Sequence, residues 1–363
     1  MKYVLPVFLL LCLFFAALWG GQGNVEKRAN PSETGKERVS FVPSELHDEP
    51  ILTSESVLGA VGSIPQVSGF ILFQHGEIID EQYWRNHGRG QTRNIKSASK
   101  NILSTLVGIA IEQGHISSID DPISNYLSDS MNGVEPEAKQ NITIKHLLTM
   151  SSGLESTSFG NYGRWVVSRN WVQFVLNGNL VNEPGSQMHY STGDTHLLSA
   201  VLTSATGMST RRYAEEVLFG PLNVRVGGWD RDPQGIYFGG NNLALSPGAL
   251  LAYGRLYLDG GVYNGEQVVP RSWVEESFRT EFENTSFNPR GHSYGYLWWN
   301  NTFGGQEAWF AWGYGGQYVF VMPALDAVVV LTGNPDARGR GANNVIYRLM
   351  DEAIVPYLVA NRR

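Results

Sequence analysis

Ser97-Ala98-Ser99-Lys100, followed at once by the apolar stretch Asn101–Ile111, decides how the rest of the chain is read. It has the form S-x-x-K at the head of a helical run. A hydroxyl and an amine three residues apart on a helix share one face, a turn from each other. A weak nucleophile thereby acquires a neighbouring base, and a helix N-terminus favours developing negative charge. Taken alone, the same four residues also fit an N-cap serine followed by an exposed lysine. The flanking sequence has to decide between the two.

Working outward, Val67–Trp84 reads as two strands joined at Gly76-Glu77. Helical patterns dominate from about 112 to 245. Thr143–Met150 is a short helix stopped by Ser151-Ser152-Gly153, Asp194–Ala205 is a second, and Thr210–Leu218 a third. Asp194 reads as the N-cap of the second. Strand patterns return at Tyr294–Trp299, Glu307–Ala311, Gln317–Met322 and Ala327–Thr332, close enough for an antiparallel meander. Asn344–Ile354 closes the chain as an amphipathic helix. Early and late strands around a helical insert imply one sheet built from both ends of the chain. The fold class is α/β of the α+β kind: an antiparallel sheet flanked by helices, plus an all-helical domain.

Composition narrows the function. The 363 residues are 42% hydrophobic and 17% charged, enough apolar material for a large core. A net charge of −7 argues against a nucleic-acid partner. Met1-Lys2-Tyr3, the apolar run Val4–Trp19 and Gly20-Gly21 read as a secretory leader. The run is nearly long enough for an uncleaved anchor, and both readings stand. Either one exports the body, to the periplasm or the extracellular space, with membrane contact only through that segment. The single cysteine, Cys12, lies inside the run, so the body holds no disulfide. The expected organisation is a leader or anchor over 1–20, a polar linker over 21–58 and a catalytic domain over 59–363. Within that domain, 59–115 and 245–363 form the sheet part and 116–244 the helical part.

Two further segments carry chemistry. Glu183-Pro184-Gly185 leads into Tyr190-Ser191-Thr192, and Tyr314-Gly315-Gly316-Gln317 opens a strand. With Ser97 and Lys100, and with phrases such as Ile142–Leu154, Ser118–Ile123 and Gly220-Pro221-Leu222, the chain resembles the serine β-lactamase-like superfamily, in which S-x-x-K is a catalytic signature. The likeness is to the class C branch, which also contains esterases, D-amino-acid-releasing peptidases and 6-aminohexanoate-dimer hydrolases. It covers roughly residues 60 to 360, and the last group is the most similar.

The resemblance implies Ser97 as nucleophile, Lys100 as its base and Tyr190 as the residue that protonates the leaving group. It implies that Tyr314, Gly315, Gly316 and Gln317 line the substrate strand, with the Gln317 and Ser97 N–H groups as an oxyanion hole. It implies no metal and no organic cofactor. The substrate would be a small ester or amide; the oligomeric state is open. Two departures stand out. Thr192 occupies the asparagine position of Y-x-N, and the strand element lacks the cation of K-T-G or the histidine of H-x-G. The missing cation disfavours β-lactam carboxylates. Trp165, Trp229, Trp298 and Trp299 suit either a cleft or a core, and His189 reads as an exposed loop histidine.

Rival readings are weaker. Gly291-His292-Ser293-Tyr294-Gly295 has the form G-x-S-x-G, but a polar loop precedes it and a strand pattern follows. No H-E-x-x-H motif or dinucleotide-binding fingerprint is present. A catalytically degenerate module that binds peptidoglycan or a protein partner is the non-enzymatic alternative.

Overall fold

The structure, a computed structural model, describes residues 52–285, 290–336 and 342–361. The expected leader and most of the linker lie outside them. A helix, Ser54–Gly62, runs across the expected linker boundary at 58, with Thr53 and Ser56 forming a reciprocal cap at its start.

The main sheet is built from both ends of the chain. Strands β1 (Val67–Gln74) and β2 (Glu77–Tyr83) form a hairpin whose two-residue turn, His75-Gly76, has φ of +51° and +82°. Two short ribbons follow: β3 (Arg93–Asn94) with β4 (Ala244–Leu245), and β5 (Val262–Tyr263) with β6 (Glu266–Gln267). Then come β7 (Ser293–Tyr294), β8 (Trp299–Phe303), β9 (Gln306–Gly313), β10 (Gln317–Met322) and β11 (Ala327–Gly333). The seven-stranded order is β2-β1-β11-β10-β9-β8-β7, and every pairing is antiparallel.

Strands β1, β10 and β11 are buried at every residue, which requires cover on both faces. Alternation along β10 distributes the contacts. Val319 and Val328 meet Gly254 of the Pro247–Leu258 helix, where a side chain on the glycine would collide with them. Tyr318 packs to the other side, against Tyr347 of the Ala342–Leu349 helix, with ring centroids 6.0 Å apart.

The helical insert sits beside this sheet. Its Thr192–Thr206 helix packs on the Ser99–Glu112 helix, which is buried from Ser99 to Ala110. Gly207, at φ +67°, terminates the former in the left-handed conformation.

Two expectations are corrected. The stretch Tyr294–Trp299 is not one strand: Tyr294 ends β7, Trp299 begins β8, and Leu297 between them has φ +65°. Gly295 lies there against the Ser277 and Arg279 carbonyl oxygens, with no room for a side chain. The third helix is α-helical only over Thr210–Ala214, and Glu215–Phe219 continues as a π-turn.

Candidate active site

Ser97 does not sit within the long helix. It occupies a 3-10 turn, Lys96–Ala98, that feeds into the Ser99–Glu112 helix. Lys96 enters that turn at φ +53°. Lys100 lies in the first helical turn, 2% exposed, with Nζ 3.2 Å from Ser97 Oγ. Nζ also donates to the Gly240 carbonyl oxygen at 2.8 Å. Burial lowers the ammonium from its ordinary value to about 7. No neighbouring cation contributes to that shift; loss of water is the cause.

Tyr190 completes the cluster. Its phenol is hydrogen-bonded to Ser97, and burial pushes it up to about 12. The Lys100 Nζ stands 5.3 Å from its ring centroid. Trp299 stacks on the ring at 6.0 Å, and Phe159 tilts against it at 6.4 Å. Backbone contacts hold the preceding loop on the Met150–Ser156 segment. Gly185 N–H donates to Ser151 O and His189 N–H to Met150 O, each at 2.7 Å, while Ser156 Oγ–H donates to Tyr190 O at 2.7 Å. The structure thus brings Ser97, Lys100 and Tyr190 together. His189 itself is exposed.

Immediately after Tyr190 the Thr192–Thr206 helix begins, with Ser191 as N-cap. Its first N–H groups are satisfied from across the chain. Ser158 Oγ accepts from Thr192 N at 2.9 Å, and Thr157 Oγ1 accepts from Gly193 N at 2.7 Å. Thr192 Oγ1 is engaged with Ser158 Oγ at 2.9 Å, so the Y-x-N departure is spent on closing the helix end. Asp194 is not the N-cap. It lies within the first turn, fully buried, with Oδ1 accepting from Ser152 Oγ at 3.0 Å. Burial raises its carboxyl to about 7.

The glycine-rich element opens strand β10, which begins at Gln317. Tyr314, Gly315 and Gly316 form the β9–β10 turn, the glycines at φ +83° and +88°. Gly315 presses on the Asn334 carbonyl at the far end of β11. Gln317 is buried and turned the same way, with Nε2 donating to Gly333 O at 2.9 Å and Oε1 accepting from Gly333 N at 3.3 Å. The close backbone approach to the nucleophile turn comes at Gly313, the last residue of β9. A methyl there would strike the Ile95 carbonyl oxygen and lie 3.2 Å from Ala98 N.

Ser293 stands on the short edge strand β7, with no helix behind it. Its neighbour His292 is buried, bonded to Asn301, and lowered to about 4 by burial. Trp165 and Trp298 are core residues and Trp229 nearly so; only Trp299 of the four touches the cluster. Among the described residues, no group of His, Cys, Asp and Glu side chains is arranged to hold a metal ion. Sequence reasoning missed the Gly240 carbonyl, the capping pair Thr157 and Ser158, and a buried His196–Asp232 pair. The adjacent glycines Gly239-Gly240 were the one local signal for the first.

Known proteins share this arrangement of elements. A 6-aminohexanoate-dimer hydrolase of Paenarthrobacter ureafaciens is 25% identical over 294 residues, 74% of this chain and 72% of that protein. The octameric penicillin-binding protein homologue from Pyrococcus abyssi superposes with a TM-score of 0.66 at 18% identity, covering 85% of this chain and 77% of that one. A D-stereospecific amidohydrolase from Streptomyces gives 0.63 at 17% identity, covering 81% and 96%. The family described as Beta-lactamase matches residues 62–351, which takes in the nucleophile turn, Tyr190 and every strand from β1 to β11. The chain belongs to that family.

Proposed function

We propose that the protein is a serine hydrolase that cleaves an ester or amide through an acyl-Ser97 intermediate. The observation that carries the reading is the contact between Ser97 Oγ and a buried Lys100 amine at 3.2 Å. An amine held near 7 is substantially neutral at neutral pH and can accept the Oγ proton. Oγ then attacks the carbonyl carbon. The close approach of Gly313 to the nucleophile turn supports the N–H of Ser97 and that of Tyr314 as donors to the developing oxyanion. Tyr190, protonated up to about 12, gives its proton to the departing oxygen or nitrogen and recovers one from the lysine. Water, deprotonated by the same base, releases the acyl group and restores Ser97.

The substrate reading favours linear esters and amides over β-lactams. Phe159, 71% exposed beside Tyr190, and exposed Tyr314 offer apolar surface to an acyl chain. The cation next to the nucleophile, Lys96, is paired with Asp336 at 4.0 Å. The N-terminal apolar run, acting as leader or anchor, would deliver this activity outside the cytoplasm.

A fluorophosphonate probe tests the reading. Expected is one adduct, on Ser97, together with turnover of p-nitrophenyl esters or linear amide oligomers well above that of nitrocefin. No adduct and no turnover in folded protein would leave a binding module. Efficient cephalosporin hydrolysis would reverse the substrate order, and an adduct on Ser293 would move the nucleophile.

A further inference from the structure

We propose that His196 and Asp232 form a buried positioning pair that fixes the Gly239-Gly240 turn and, through the Gly240 carbonyl, the place of the Lys100 amine. The catalytic meaning of the pair rests on reading Lys100 as the base.

Both side chains are fully removed from solvent, with His196 Nε2 3.1 Å from Asp232 Oδ2. Burying such groups is costly unless their hydrogen-bonding atoms are matched. Here they are. Asp232 Oδ1 accepts from Gln234 N and Ile236 N, each at 2.9 Å. His196 Nδ1 accepts from Gly239 N at 3.4 Å. One tautomer satisfies both ends of the ring, with the proton on Nε2 and Nδ1 bare. The next residue, Gly240, carries the carbonyl that receives Lys100 Nζ.

Packing leaves the turn little room to move. Gly239 lies against the Thr195 carbonyl with no room for a Cβ, and a Cβ on Gly240, at φ +120°, would stand 2.9 Å from Lys100 Nζ. The turn therefore covers the amine, whose residue is 2% exposed. Trp165, Trp171 and Phe238 enclose the imidazole at ring distances of 5.7, 5.4 and 6.0 Å and bring no charge. A matched buried polar pair is a weak source of net stability, so an apolar pair would serve folding as well. What an apolar pair lacks is the directional acceptor for Gly239 N–H.

The titratable groups around the device are few. Tyr190 faces Lys100, Asp232 faces His196, and Asp194 lies two residues before His196 on the same helix. Because Asp194 also titrates near 7, Lys100 must be observed directly.

The experiment compares two substitutions of similar size. His196→Gln keeps a donor toward Asp232 and loses the acceptor for Gly239. His196→Asn places an oxygen where Nδ1 stood and loses the donor. The readouts are the 13Cε resonance of Lys100, assigned by its loss in Lys100→Arg, titrated against pH, and the acid limb of kcat/KM. In His196→Gln, water reaches the amine, and both move up by about one pH unit. In His196→Asn they stay within a few tenths of the wild type. In Asp232→Asn, Oδ1 stays with the Gln234 and Ile236 N–H groups, so the amide nitrogen meets His196 Nε2 and sends the ring proton to Nδ1; the acceptor for Gly239 is lost and both readouts shift in the same direction as in His196→Gln. Equal shifts in the two His196 variants, or no shift in any variant that folds, overturn the proposal. A shifted lysine resonance in a protein without turnover sustains the positioning pair and removes the hydrolase reading. Turnover with an unmoved lysine does the reverse.

Discussion

The sheet side and the helical side of the site hold their groups by different means. On the sheet side, the β9–β10 ladder runs in register from Trp309↔Val321 to Gly313↔Gln317 and delivers bare backbone to the nucleophile turn. On the helical side, side chains do the holding: Ser156 binds the Tyr190 carbonyl, Thr157 and Ser158 close the start of the Thr192–Thr206 helix, Ser152 meets Asp194, and His196 meets Asp232. A ladder is fixed by main-chain geometry and fails through sterics. A side-chain network is fixed by hydrogen bonds and ionisation, and it fails through loss of a partner or a change of pH. The two sides should therefore respond to different perturbations.

The junction of the two sides gives the largest effect. Ser97→Ala and Lys100→Ala should each lower kcat/KM by at least about 1,000-fold, and the double variant should be little worse than either, since the two act as a unit. Steady-state rates on one ester with all three proteins decide the matter. An Ser97→Ala variant that retains near-wild-type turnover removes the junction from the chemistry.

On the sheet side alone, Gly313→Ala is expected to cost roughly 100-fold in kcat, the scale of losing one oxyanion donor, because the Ile95 carbonyl blocks the added methyl. Gly316→Ala is the contrast. Its φ of +88° strains any side chain, but its nearest neighbour is 3.7 Å away. It should lower stability by about 1 kcal/mol and leave kcat within a few-fold. Paired urea melts and rates separate the two glycines. If Gly316→Ala is the one that stops catalysis, the approach to Ser97 has been placed on the wrong residue.

Tyr190→Phe probes the edge of the helical side. A reduction of about 10- to 100-fold is expected, without loss of fold, since the ring still stacks on Trp299. A phenol held near 12 stays protonated across the working range, so no alkaline limb below about pH 10 should belong to it. A limb that disappears in the Phe variant would show the phenol ionising far lower.

The same division explains what could be read from the sequence. Ser97, Lys100 and Tyr190 were legible because each lies in a short string whose spacing carries chemistry. The sheet was legible because its strands are apolar runs separated by turn residues. The close backbone approach to the nucleophile turn comes at Gly313, ahead of the glycines singled out in the sequence: strand β9 runs on through Trp312-Gly313, and Gly315 and Gly316 beyond it form the turn. Asp194 was misread because an acidic residue before an apolar run imitates an N-cap. The hydroxyls that actually satisfy that helix end come from 34 and 36 residues away. Gly240 lies 140 residues from Lys100, and His196 lies 36 from Asp232. No local pattern records such pairings, because they exist only once the insert has folded against the nucleophile helix.

Asp194→Asn carries the smallest expected effect on rate and the most specific one on stability. The carboxyl ordinarily titrates at 3.8 and in the fold at about 7. Between those values the folded protein keeps a proton that the unfolded chain has released, so this group's contribution to stability is complete below 3.8 and is lost as pH rises to about 7. Lys100 acts in the adjoining window. Its ordinary value is 10.5 and its folded value about 7, so its penalty is complete below 7 and fades as pH rises toward 10.5. His292, lowered to about 4, adds stability as pH rises through the same acid window, so the Asp194 contribution is read from the difference between the wild type and Asp194→Asn. In Asp194→Asn the acid-side slope should become more positive while the rise above 7 persists. Urea unfolding at pH 5, 7 and 9 reads both slopes. An unchanged acid-side slope would mean that the titrating charge of the helical side lies elsewhere than Asp194.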